Sequence, residues 1–116
     1  MATITASVTD YGDHKIVTWV DMATGDTIEA FTPNGFEGLT GTVHFVAGTA
    51  GGATVTLTGS NDETNFATIQ HNGADISVTA SGLSEFSTGS HEVKPGISGG
   101  TGDSWSVYAC FRRGVK

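Results

Sequence analysis

Residues 54–69 read Thr54-Val-Thr-Leu-Thr-Gly-Ser-Asn-Asp-Glu-Thr-Asn-Phe-Ala-Thr-Ile. Val55 and Leu57 alternate with Thr54, Thr56 and Thr58, the period of two that sends successive side chains to opposite faces of a strand. Ser60-Asn-Asp supplies short polar side chains that bond nearby backbone amides in a turn. Phe66 on the returning segment then plants an aromatic ring on the core. Strand, polar turn and return strand make a β-hairpin, and this stretch sets the fold class.

The same grammar extends outward in both directions. Ala2, Ile4, Ala6 and Val8 alternate with Thr3, Thr5, Ser7 and Thr9; Val43, Phe45 and Ala47 alternate with Thr42, His44 and Val46. Ile76, Val78 and Ala80 alternate with Ser77 and Thr79, and Trp105, Val107, Ala109 and Phe111 alternate with Ser104, Ser106, Tyr108, Cys110 and Arg112. Turn residues separate these runs at Tyr11-Gly-Asp, Thr24-Gly-Asp, Pro33-Asn-Gly, Gly48 to Gly52, Asn72-Gly and Ser98-Gly-Gly-Thr-Gly. The spacing predicts strands near 2–9, 14–20, 27–31, 41–47, 53–60, 66–70, 75–80, 91–97 and 104–112. Short strands punctuated this regularly form an antiparallel sandwich or barrel. No helical period is sustained; Ala80 to Phe86 is the best helix candidate and reads as a turn. The expected core is Ile16, Val20 or Trp19, Val43, Phe45, Val55, Leu57, Phe66, Ile69, Ile76, Val78, Trp105, Val107 and Phe111.

Size and composition agree with this reading. The 116 residues suit one domain spanning 1–116, and a chain of this length buries roughly two thirds of its unfolded surface. Residues 1–9 are read either as a connecting strand that pairs with a neighbour or as an internal strand of the sandwich. The former follows because residues 2–8 lack charge, glycine and proline, the usual guards of an edge. Twelve acidic and five basic residues leave a net charge of −7, which repels a phosphate backbone and argues against nucleic acid as a partner. Arg112, Arg113 and Lys116 cluster at the C-terminus, as a solvated tail or a contact for an acidic surface. Cys110 is the sole cysteine, so no intrachain disulfide forms. The opening residues lack the basic and apolar regions of a signal peptide, and no apolar run approaches the ~20 residues that span a bilayer; synthesis in a reducing cytoplasm and no membrane partner are expected.

No chemical motif stands out. His14, His44, His71 and His91 form no HxH or HExxH pair, the 60–65 turn lacks the ligand spacing of a calcium loop, and the glycine-rich stretches precede no Gly-Lys-Ser/Thr. No Gly-x-Ser-x-Gly elbow is present, and nothing singles out a facing carboxylate pair. The sequence therefore predicts neither enzyme activity, nor a cofactor, nor a bound metal.

One set of segments is more specific. Thr54 to Ile69 resembles the "strand, Gly-Ser-Asn-Asp-Gly-Thr-Asn-Trp, strand" hairpin of small virion proteins of tailed phages, with Glu63 in place of Gly and Phe66 in place of Trp. His14-Lys-Ile-Val-Thr-Trp followed by Thr24-Gly-Asp-Thr, then Ile76-Ser-Val-Thr-Ala-Ser-Gly-Leu, then Glu92-Val-Lys-Pro-Gly-Ile-Ser-Gly-Gly-Thr-Gly, and finally Trp105 to Arg113, are similar to that family's segments in the same order. The resemblance covers residues 14–113 and is to capsid decoration, or cement, proteins of tailed bacteriophages. It implies a jelly-roll β-sandwich on the outer surface of an icosahedral head, bridging capsomers. The partners it implies are the major capsid protein and other copies of the chain, as a dimer or trimer. Thr3, Ile4, Thr5, Tyr108, Arg112 and Arg113 are the expected contacts. The alternatives are a tail or adhesin component, or a carbohydrate-binding module in which Trp19 and Tyr108 stack on sugar rings; against the last, Trp19 fills the core and Tyr108 meets another subunit.

Overall fold

The computed structural model describes residues 2–33 and 39–112. Thirteen strands run through them: β1 (Thr3–Ile4), β2 (Ser7–Asp10), β3 (His14–Met22), β4 (Thr27–Ile28), β5 (Leu39–Thr49), β6 (Thr54–Ser60), β7 (Ala67–Thr68), β8 (Gln70–His71), β9 (Ala74–Asp75), β10 (Ser77–Val78), β11 (Gly82–Thr88), β12 (Glu92–Ser98) and β13 (Ser104–Arg112). A five-stranded antiparallel sheet has the order β11-β5-β13-β3-β2. Facing it, β6 lies between β10 and β12 and also pairs with β7. β1 and β4 pair in parallel, an exception to the antiparallel rule, and Phe31 joins this segment to β12 by exchanging both backbone hydrogen bonds with Val93.

From β3 onward the chain changes sheet at each long connection. It passes from β3 to the 27–31 segment beside β12, to β5, to β6 and its short neighbours, to β11, to β12 and finally to β13. That alternation between two packed sheets is a jelly roll. The last strand, β13, sits in the middle of the large sheet between β5 and β3.

The core lies between the sheets. Trp19, Trp105, Phe45, Phe86 and Phe111 are its largest fully buried side chains. Phe111 meets Phe31 at 5.0 Å and, edge to face, Phe86 at 5.2 Å, the offset geometries that aromatic quadrupoles favour. Gly41 is opposite both Phe86 and Phe111 in register, and a Cβ there would collide with the Cys110 carbonyl oxygen.

The structure corrects the sequence reading in specific places. Residues 2–9 split into β1 and β2, the 27–31 strand shrinks to β4 plus the Phe31 bridge, and 66–70 and 75–80 break into two-residue pieces. Residues 82–88, expected as part of a turn, form β11, whose inner positions Gly82 and Ser84 are too small to reveal the period that Phe86 completes. In β3 the inward residues are Val17, Trp19 and Met22; Ile16 is half-buried and Val20 is 47% exposed on the other face. Asp21, at φ 56°, lies where the β13–β3 register shifts, so that Trp19 and Met22 can both point inward. Phe66 is half-buried beneath the Lys94 amine, 4.3 Å from its ring centre, and Val78 packs at the core's margin. Phe31, Phe86 and Val93 are core residues that the alternation of neighbouring segments did not disclose.

Candidate interaction surface

The N-terminal contact residues are partly folded into the domain's own structure. Ile4 is buried against the core and paired with Ile28, so its side chain offers no exposed contact; Thr3 and Thr5 are exposed. Backbone hydrogen bonds from Thr27 to the Ala2 carbonyl and from Glu29 to the Ile4 carbonyl, both 2.9 Å, hold this stretch. The Asp26 and Glu29 carboxylates accept the Ala2 and Ala6 N–H groups at 3.0 and 3.2 Å. Tyr108 and Arg112 are both exposed on the outward face of β13, and Arg113 lies outside the described residues.

The outward face of the five-stranded sheet assembles what the sequence kept apart. Pairing aligns Ser7, Thr18, Tyr108, His44 and Leu83 in one row across all five strands, and Thr9, Ile16, Cys110, Thr42 and Glu85 in the next. A third row carries His14, Arg112, Thr40 and Ser87. Leu83 is 68% exposed and Tyr108 38%, with the Tyr108 and His44 rings 6.2 Å apart. Val20 adds another exposed apolar side chain on β3, and Val46 a half-buried one on β5. Among these rows Glu85 is the single carboxylate, in a chain with twelve acidic residues. Leu83 was missed because β11 was not recognised; Tyr108 was found because it alternates with inward Val107 and Ala109.

Other carboxylates are committed to loops, where the backbone has no ladder partner. Asp62 accepts hydrogen bonds from the Asn65 and Thr64 amides, the Asn65 side chain and the Ser60 hydroxyl, which hold its pKa far below the usual carboxylate value. Amides of Ala2 and Ala23 lower the pKa of Asp26. Asp103 is buried, which pushes its pKa up, but the Thr24 hydroxyl and amide outweigh this and the net shift is down. Beside Asp13, the His14 ring, 2.6 Å away, lowers the carboxyl pKa.

Trp19 is fully buried and donates its indole N–H to the Glu29 carbonyl at 2.7 Å, so it cannot stack on a sugar. Among the described residues no three His, Cys, Asp or Glu side chains converge as a metal ion requires. His71 lines only a shallow open depression with Thr42, Leu83, Ser84 and Glu85. Compared with family models, curated proteins and solved structures, the chain matches none.

Proposed function

We propose that this protein is a structural component of a tailed-phage virion that binds the outside of the icosahedral head and stabilises it by bridging capsomers. The observation that carries the reading is the outer face of the large sheet, where Leu83 and Tyr108 are exposed in paired rows whose single carboxylate is Glu85. Interfaces concentrate aromatic residues and exclude charge at their centre, and a face that offers only a shallow open depression beside Leu83 fits another protein surface better than a small ligand, which needs concavity. The order of similar segments from residue 14 to 113 points to the same class. The acidic remainder of the surface suits a side turned to solvent.

Co-sedimentation with icosahedral phage heads purified without the protein tests the reading. Saturable binding is expected, and a Leu83→Asp/Tyr108→Asp double variant should bind at least about tenfold more weakly, since central aromatic and apolar contacts dominate such interfaces. Failure of the folded wild-type protein to bind heads, or unchanged binding by the double variant, refutes it.

A further inference from the structure

The β2 edge of the large sheet differs from the rest of the N-terminal segment in being bare. Tyr11 donates its N–H to the His14 carbonyl at 2.9 Å, and the β2–β3 register pairs Asp10 with Lys15, Thr9 with Ile16, Val8 with Val17 and Ser7 with Thr18. Backbone groups alternate in direction along an antiparallel strand. Ser7, Thr9 and Tyr11 therefore turn their N–H and C=O toward β3, and Val8 and Asp10 turn theirs away. Ala6 follows the same phase: its N–H points away from β3 and is met by the Glu29 carboxylate. Thus the Ala2 and Ile4 carbonyls and the Ala2 and Ala6 N–H groups are covered by the 26–29 segment, whereas the outward groups of exposed Val8 and Asp10 lie along the open sheet edge. The Asp10 carboxylate is occupied with the Gly12 amide at 2.8 Å, inside its own turn.

The side chains tell the same story. All four β2 residues are exposed. Val8 shares the inward face with fully buried Val17, yet it is 47% exposed. The core is therefore open at this edge. No lysine, proline or bulge guards Ser7-Val-Thr, and the one charge on β2, Asp10, on the same face as Val8, is tied to the Gly12 amide.

We infer that β2 is a homodimerisation edge, to which β2 of a second copy adds in antiparallel fashion about a two-fold axis. The strand is self-complementary in that arrangement. Val8 exchanges both backbone hydrogen bonds with Asp10 of the second copy, and Asp10 with its Val8, which satisfies every outward group of the bare stretch. Thr9 meets its own symmetry mate in the close, non-hydrogen-bonded position, a favourable cross-strand pair. The two large sheets become one continuous ten-stranded sheet. This extends the decorating role by naming a partner, but its test contains no heads, so the two readings fail separately.

Analytical ultracentrifugation of the purified chain over a concentration series decides it. The wild type should associate reversibly to a dimer, more tightly as salt screens the repulsion between two copies of charge −7. Val8→Pro removes an N–H that points away from β3, so the β2–β3 ladder survives, and proline is tolerated on an edge. It should weaken dimerisation at least about tenfold. If that variant fails to fold, hydrogen exchange on the wild type supplies the same answer: the Val8 and Asp10 amides must become protected as concentration rises. A wild type that stays monomeric at every concentration, a trimer or larger ring, a folded Val8→Pro that dimerises normally, or unprotected Val8 and Asp10 amides overturns the inference.

Discussion

In the five-stranded sheet, β3, β5 and β13 run for 9, 11 and 9 residues and bond edge to edge; on the opposite side, β7, β8, β9 and β10 last 2 residues each. The long strands satisfy their backbone through the ladder. The short ones leave stretches of chain between them whose amides need other acceptors, and polar side chains take that part. Asp62 and Ser60 organise the 60–65 turn, which the Glu63 carboxylate and the Asn61 side chain then tie to His91. Gln70 and Asp75 clip the β8–β9 hairpin. The strands of both sheets are thus held by hydrophobic burial and backbone pairing, and the connecting stretches, which are most of the small-sheet side but also include Asp13 and Asp103 at the ends of large-sheet strands, by carboxylates as well. The first kind of stability is insensitive to acid, and the second is not.

The sharpest way to break this contrast is to empty the large sheet's central strand. Trp105 is buried on β13 and donates its indole N–H to the Ala50 carbonyl at 3.2 Å. Trp105→Ala should cost about 3–5 kcal/mol, a large share of a typical domain's stability. Urea unfolding reads it, and a loss below about 1 kcal/mol would show that the central strand is not where stability resides.

Gly41→Ala should come next, at about 1–3 kcal/mol. The added methyl has no room before the Cys110 carbonyl and must spread β5 from β13 beneath the Phe86–Phe111 pair. A thermal midpoint equal to wild type would mean that the strands separate freely.

Acid should strike the loop carboxylates. The folded-state pKa values of Asp62, Asp26, Asp103 and Asp13 are all lowered from 3.8. Their stabilising contribution is therefore complete above the unfolded value near 4 and is lost as pH falls below it toward the folded values. Stability measured from pH 6 down to pH 2 should decline, and Asp62→Asn should flatten part of that decline while lowering stability at neutral pH. An unchanged slope in the variant would remove Asp62 from the account.

The smallest effect on stability belongs to the outer face. Tyr108→Ser should lower the unfolding free energy by about 1 kcal/mol, because the ring is 38% exposed and loses only its partial cover and its cross-strand neighbour His44. A substantial destabilisation would mean that Tyr108 and His44 support the sheet rather than present a surface.

Local pattern was readable wherever one face of a strand was apolar and the other polar. Residues 104–112 alternate cleanly, and their inward and outward sets are as the period predicts. The phase of β3 was not readable, because Ile16 beside Val17 and Trp19 beside Val20 put apolar side chains on both faces. Only packing against β13, with its register shift near Asp21, selects Val17 and Trp19. β11 was hidden for the opposite reason, since glycine and serine at its inner positions carry almost no hydrophobic signal. Of the candidate surface, Tyr108 was visible as an outward residue, whereas its alignment with His44 and Leu83 was not.

By itself, then, the sequence determined an all-β chain with an acidic surface and an aromatic core, because side-chain period, turn chemistry and charge are local properties written residue by residue. The tertiary structure alone decided which strands are neighbours. It brought Leu83, His44 and Tyr108 into one row, buried Ile4 and left the edge at Val8 open. Those outcomes depend on pairing between segments tens of residues apart, and a one-residue change of register would turn each side chain to the other face.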